Sequence, residues 1–234
     1  MNENQFKVVL EQNGIFLTEL QEKQFRRYFE LLQLWNQRLN LTTIIQKEEV
    51  YEKHFFDSLS IAFNKNFNGK TLCDIGTGAG FPAIPLKIAF PDLKVTALDS
   101  MAKRINFVNE VIKELGLEGI ETLIDRAENF GIKNREVYDI VVARAVSRLN
   151  ILLEISTPLV KTNGVFIALK GLQAKVEADE SIKACEELNL ELVEKQKVIL
   201  PTTFAKRYNL VYRKLGVTPK KYPRSYSRIK KKPL

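Results

Sequence analysis

The run Asp74-Ile75-Gly76-Thr77-Gly78-Ala79-Gly80 offers little acid–base chemistry but a good surface for binding. It follows the apolar Thr71-Leu72-Cys73 and precedes a helix-like stretch from Phe81 to Phe90. Strand, glycine turn and helix in that order form the first unit of a nucleotide-binding α/β sheet. Glycine lets the backbone adopt positive φ and lets a ligand approach where a Cβ would intrude. The spacing selects the ligand. A dinucleotide turn, G-x-G-x-x-G, would need glycine three places after Gly78, where Phe81 stands. An acid followed by G-x-G-x-G is the pattern of S-adenosylmethionine (SAM) methyltransferases, so Gly76, Gly78 and Gly80 are expected against that cofactor. The bland alternative is a glycine-rich turn with no ligand.

The next loops carry complementary groups. Lys94-Val95-Thr96-Ala97-Leu98 is β-rich and ends in Asp99, about 20 residues beyond the glycine turn, where an acid can accept hydrogen bonds from a ribose diol. Ile120 to Ile124 reads as a third strand, followed by Asp125-Arg126-Ala127-Glu128. Ligands of open parallel sheets lie beyond the carboxyl ends of the strands, so Ala127 and Glu128 are candidates for contacts to the adenine. A fourth strand, Tyr138 to Ala143, runs into Arg144-Ala145-Val146-Ser147-Arg148, where such an enzyme presents its methyl acceptor. Arginine there suits a carboxylate, a phosphate or the edge of guanine. Arg148 reads equally as an RNA contact or as an ordinary surface charge. His54, the only histidine, precedes Asp57 and Ser58 on a helical stretch. A structural hydrogen bond is favoured there over substrate contact.

These loops need a sheet to hold them. Helices expected at about 82–90, 101–115, 150–160 and 172–188 separate five strands, the fifth being Val165 to Leu169. Two more β-like runs, Glu191 to Leu200 and Tyr208 to Arg213, have no helix between them and suit an antiparallel edge. The expected fold class is α/β: a Rossmann-like, class I SAM-dependent methyltransferase with a seven-stranded, mostly parallel sheet. Residues 1–65 lack the βα alternation and read as an N-terminal helical cap, with helices over Asn4–Gln12, Thr18–Arg38 and Glu48–Phe63. Phe25, Tyr28, Phe29, Leu32 and Trp35 make an apolar stripe on the second of these. The methyltransferase domain then spans 66–215, and 216–234 is a basic tail.

The net charge of +8 on 234 residues is concentrated in that tail, which has seven cations and no acid, leaving about +1 elsewhere. Tyr222 and Tyr226 interleave with Lys220, Lys221, Arg224 and Arg228, as suits RNA phosphates and unstacked bases. A solvated, disordered tail explains the composition equally well. Because the cofactor loops lie between 74 and 144, the tail is expected to act on RNA and leave SAM affinity unchanged. No apolar stretch approaches a membrane span and the N-terminus lacks a signal peptide, so a cytoplasmic protein without membrane contact is expected. Cys73 and Cys185 lack metal or disulfide spacing, and no metal is expected.

Taken together, the chain resembles the RsmG (GidB) family of ribosomal RNA small-subunit methyltransferases, which methylate N7 of a guanine in bacterial 16S rRNA. The match rests on Trp35-Asn36 with Asn40-Leu41-Thr42, on His54-Phe55-Phe56-Asp57-Ser58, and on Asp74 through Pro82. It continues through Asp99-Ser100 with Lys103-Arg104, Arg126-Ala127-Glu128, Ala143-Arg144-Ala145-Val146, and Thr218 through Arg224. The resemblance implies SAM contacts at Gly76, Phe81, Ala127, Glu128 and Arg144, with Asp99 on the ribose and S-adenosyl-L-homocysteine as product. It also implies a target in the 530 loop of the small ribosomal subunit. A monomer is expected.

The residues fit that chemistry. Exocyclic-amine methylation of bases commonly uses a [DNS]-P-P-[YFW] loop, and the chain has no Pro-Pro. Methylation at pyrimidine C5 needs a cysteine nucleophile beyond the fourth strand, and Cys185 falls in an expected helix. N7 of guanine already carries an exposed lone pair, so proximity, alignment and electrostatics suffice, and no catalytic acid or base is nominated. Arg144 is the one candidate for positioning substrate or cofactor. The alternatives are a SAM methyltransferase acting on another RNA, a protein or a small molecule, and a non-catalytic RNA-binding ribosome assembly factor.

Overall fold

The computed structural model describes residues 1–234. One seven-stranded sheet runs in the order β3-β2-β1-β4-β5-β7-β6. Its strands are β1 (Thr71–Ile75), β2 (Lys94–Asp99), β3 (Ile120–Ile124), β4 (Tyr138–Arg144), β5 (Val160–Lys170), β6 (Leu190–Ile199) and β7 (Lys206–Lys214). All pairings from β3 to β5 are parallel, and β7 is antiparallel to both β5 and β6. The strand order reverses between β1 and β4, which pair Leu72 through Ile75 with Ile140 through Ala143. Crevices for ligands form at such a switch point because the loops leaving its two strands diverge to opposite faces.

The cap helices Glu3–Gln12 and Glu19–Leu39 both start with capping boxes, Asn2 with Gln5 and Thr18 with Gln21. A helical run over 47–62 follows, with a π-helical turn at Tyr51–Phe56. Phe6, Phe25, Tyr28, Tyr51 and Phe55 pack edge and face against one another and onto Phe81. The cap is also fastened by the last hairpin. Buried Glu52 accepts the Thr202 and Thr203 N–H groups, and the Asn209 side chain donates to Ser60 Oγ at 2.9 Å.

The expected strands and helices all appear, with corrected bounds. The helix expected over 172–188 is two, Ala174–Glu180 and Ile182–Leu188. The Ser181 hydroxyl donates back to Glu177 O at 2.7 Å, satisfying that carbonyl at the break. The helix expected to 160 ends at Ser156 and tightens into a 3₁₀ turn at Thr157–Leu159 containing Pro158. Two short helices were not foreseen, Ala127–Lys133 and Tyr226–Lys231.

The basic tail does not hang free. Tyr222 and Ile229 are buried, and Arg135 donates to the carbonyl oxygens of Thr218 at 2.6 Å and Tyr222 at 2.7 Å. Arg224 grips Glu154, itself 0% exposed, through its backbone N–H, Nε and Nη2 at 2.6–2.9 Å. A carboxylate that deep needs such a partner, because an unpaired buried charge costs several kcal/mol, ~3–5.

Candidate active site

A cleft of about 480 Å³ opens at the carboxyl ends of β1 to β4. Its floor is Ile75, Gly76 and Leu98, and its walls come from the loops that leave each strand. Gly76 adopts φ +70°, and a Cβ there would lie 2.6 Å from a Val146 methyl on the facing loop. That loop begins at Ala145, also left-handed at φ 56°, an uncommon conformation for a residue with a side chain.

Hydrogen bonds set the chemistry of the cleft. The Gly76 and Thr77 N–H groups donate to Leu98 O at 2.8 and 3.0 Å, and Gly78 N–H donates to Asp99 Oδ2 at 3.0 Å. Gly80 and Phe81 N–H groups both donate to Thr77 O. These turn donors are therefore engaged within the protein, and a pyrophosphate would find none of them available. Asp99 is 3% exposed and accepts three bonds: from Gly78, from Met101 N–H at 2.9 Å and from Arg104 Nη1 at 3.2 Å. A carboxylate offers about four acceptor positions, so room remains for a ligand hydroxyl. Glu128, which also lines the cleft, is buried too, with Oε1 2.6 Å from Arg126 Nε. Asp74, below the turn, is fully buried, and one of its oxygens has no partner. Burial pushes its carboxyl up to about 7.

The other side of the turn faces the cap. Gly80 has φ +91°, and a Cβ would lie 2.6 Å from Ile84 Cγ1 and 2.8 Å from the Tyr28 hydroxyl, which donates to Ala79 O. Phe81 is 5% exposed and stacks on His54 with ring centroids 4.5 Å apart. The Arg144 guanidinium lies 5.0 Å from the centre of the Phe81 ring. It donates to Asp57 Oδ2 at 3.0 Å, Lys53 O at 3.3 Å and His54 Nδ1 at 3.4 Å. Because a guanidinium only donates, Nδ1 is assigned as the acceptor, and Nε2 carries the proton 2.9 Å from Thr42 Oγ1. Burial, and then the Arg144 charge, hold the His54 imidazole down at about 3. His54 and Asp57 thus meet through Arg144 and not through the direct bond expected from their spacing.

Gly76, Asp99, Ala127 and Glu128 therefore share the cleft as read from sequence. Gly78 supports it through Asp99, whereas Gly80, Phe81 and Arg144 stand at the junction with the cap. Arg148 is exposed and paired with Glu180. Lys220 is exposed, Lys221 pairs with Glu187 at 3.0 Å, and Arg224 is taken up by Glu154. Sequence reasoning missed Val146, Ile155 and Tyr226 in the cleft wall. The tail aromatics were visible, but nothing local showed where they go.

Residues 21–202 match the family model described as rRNA small subunit methyltransferase G. The chain belongs to that family. A Bacillus cereus protein named ribosomal RNA small subunit methyltransferase G is 50% identical over 237 residues, covering 100% of this chain and 99% of the relative. A Macrococcus caseolyticus protein of the same name is 48% identical over 236 residues, with the same coverage. Among solved structures, M. jannaschii TYW2 in complex with AdoMet aligns with a TM-score of 0.58 at 15% identity, over 74% of this chain and 80% of that one. A SAM-dependent methyltransferase from Aquifex aeolicus aligns at 0.54 and 17%, over 71% and 93%. These two share the fold.

The cleft of this rRNA small subunit methyltransferase G family member fits SAM on its own terms. Two buried carboxylates lining it, Asp99 and Glu128, suit the donors of a nucleoside, its ribose hydroxyls and exocyclic amine. Apolar Leu98, Ala127 and Ile155 suit the faces of a purine. The engaged turn donors disfavour a phosphate-bearing cofactor.

Proposed function

We propose that this SAM-dependent ribosomal RNA methyltransferase places its methyl group on N7 of a guanine in the 530 loop of 16S rRNA, working as a cytoplasmic monomer on the small subunit. The observation that carries the reading is a carboxylate-lined cleft at the strand ends with neither a cysteine nor a histidine in its lining. Cys73 is 0% exposed, with its thiol pushed well up by burial, and His54 is neutral and sealed behind Arg144. N7 asks for neither device.

Asp99 would hold the ribose, Glu128 and the Ala127 backbone the adenine, and Gly76 would let the cofactor lie against the turn. Gly78 holds Asp99 in place, and Gly80 seats the turn on the cap. Phe81 and Arg144, on the cap side of the turn, are proposed for the amino-acid end, Arg144 as a positioning residue. Bound SAM supplies an activated methyl on a cationic sulfur. Because N7 of guanine offers a free lone pair, the residues around it would need to hold the acceptor in line with that methyl and would have no proton to remove. The residues contribute alignment and exclusion of water, effects that can be worth about 7–11 kcal/mol when geometry is near attack. Arg148 and Lys220, both exposed, and Lys221 are proposed to touch RNA phosphate, with Arg224 anchoring the segment that carries the two lysines.

Mass mapping of 16S rRNA from cells with and without the protein tests the acceptor. Loss of one methyl on one 530-loop guanine is expected. An unchanged map would refute it. Calorimetry with SAM and with NAD tests the cofactor, and binding of SAM alone is expected.

A further inference from the structure

We propose that the C-terminal helix Tyr226–Lys231 completes the cofactor cleft, with the Tyr226 ring as a wall for the adenosyl group of SAM. The inference rests on the cleft being the SAM site and extends that site to a part of the chain that the β-strand loops do not predict. Tyr226 lines the cleft beside Arg126, Glu128 and Ile155. The Arg126 guanidinium lies 4.5 Å over its ring and is bonded through Nε to Glu128. Ring, guanidinium and carboxylate therefore form one connected edge of the cleft that Asp99 also lines.

The ring is held there by more than its own contact. Just before it, Arg224 is clamped to the fully buried Glu154, which lies on the same helix, Leu149–Ser156, that brings Ile155 to the cleft. Just after it, Ile229 is 0% exposed. The anchors fix the backbone on both sides and leave Tyr226 half-buried at an edge that is otherwise polar. A solvated tail needs no such anchors, and a ring serving only as packing has no reason to border the cleft. Planar aromatic rings stack on purines with little sequence or orientation demand, and such contacts are worth about 1–3 kcal/mol by alanine substitution.

Removing the ring should weaken SAM and S-adenosyl-L-homocysteine alike, by about 5- to 100-fold. The test is calorimetric titration of the intact protein, Tyr226→Ala, Tyr226→Phe and a chain ending at Arg224, with SAM, S-adenosyl-L-homocysteine and adenosine as ligands. Thermal melts without ligand establish that each variant is folded. Tyr226→Ala and the truncation are expected to lose affinity for all three ligands by similar factors, and Tyr226→Phe to recover most of the loss. Wild-type affinity for SAM in folded Tyr226→Ala and in the truncated chain would overturn the inference while leaving the cleft as the cofactor site. Failure of the intact protein to bind SAM would instead overturn the cofactor reading itself. A truncated chain that does not fold leaves the decision to the two point variants. A loss confined to SAM, with adenosine unaffected, would also overturn it, because the ring would then act at the methionine end.

Discussion

On the β2 side of the glycine turn, Gly76, Asp99, Ala127 and Glu128 border an open cleft whose carboxylates keep capacity for a ligand. On the cap side, Gly80, Phe81, Arg144 and His54 form a closed junction of stacked rings and engaged donors, with little reach to solvent. The two regions share one seven-residue motif and have opposite design. The cleft tolerates unfilled acceptors because a ligand can complete them. The junction closes most of its polar groups on one another, because a buried polar group left unpaired costs about 1–3 kcal/mol. A glycine-rich motif is thus not uniformly a ligand site. Its first glycine, bordering the cleft, makes room for Val146 of the facing loop, and its last makes room for the protein's own cap.

Substitutions along the turn can break this comparison. Gly80→Ala should be the most damaging, because left-handed strain of about 1–2 kcal/mol adds to overpacking of about 1–3 against Ile84 and Tyr28. Urea unfolding should show a loss of about 3 kcal/mol, and a loss under 1 would mean the cap yields easily. Asp99→Ala should act on the opposite side, weakening SAM by about 1–3 kcal/mol in calorimetry with the fold retained. Unchanged affinity in a folded mutant would remove Asp99 from the site.

Acid should sharpen the same contrast by acting on the junction. His54 titrates at about 3 when folded against 6.5 for its ordinary value. The unfolded chain therefore binds more protons in between, and stability falls as pH drops from 6.5 toward 3. The loss from His54 should reach about 2 kcal/mol by pH 5. Asp74, held up at about 7 by burial, moves stability the other way over the same range in the wild type and in His54→Gln alike, so the test is the difference between them. In urea titrations His54→Gln should gain about 2 kcal/mol on the wild type between pH 7 and pH 5, and equal changes in the two would clear His54 of the effect. Gly78→Ala should do least, about 1–2 kcal/mol of strain, since a Cβ there meets nothing closer than 3.9 Å. Destabilisation as large as that of Gly80→Ala would erase the distinction between the two glycines.

Most of this frame was legible because it is local. Strand, turn and acid follow one another within each βα unit, so Gly76, Asp99, Ala127 and Glu128 could be placed from their positions at strand ends alone. The helix Ala127–Lys133 was hidden because it is short and carries Asn129 and Gly131, poor formers that tertiary contact overrides. A Cβ at Gly131 would meet Ile155 O and Pro158 Cβ at an ordinary contact distance of 3.6 Å, so packing does not require glycine there. The tail was hidden by its charge. Seven cations mask Tyr222 and Ile229, and the acid that fixes Arg224 lies 70 residues away. The partition of roles within the motif was equally out of reach, because the collision at Gly80 depends on Tyr28, far back on the second cap helix.

The fastening of Glu52 to the last hairpin bears on how the chain can be made. Its carboxylate waits for N–H groups 150 and 151 residues later. At synthesis rates of about 5–20 residues per second, the first helices leave the ribosome on the order of ten seconds before their latch exists. Through that interval the aromatic face of Phe6, Phe25 and Phe55 has no complete sheet to cover it. The N-terminal third, although first to emerge, cannot complete its packing until the last hairpin has been made.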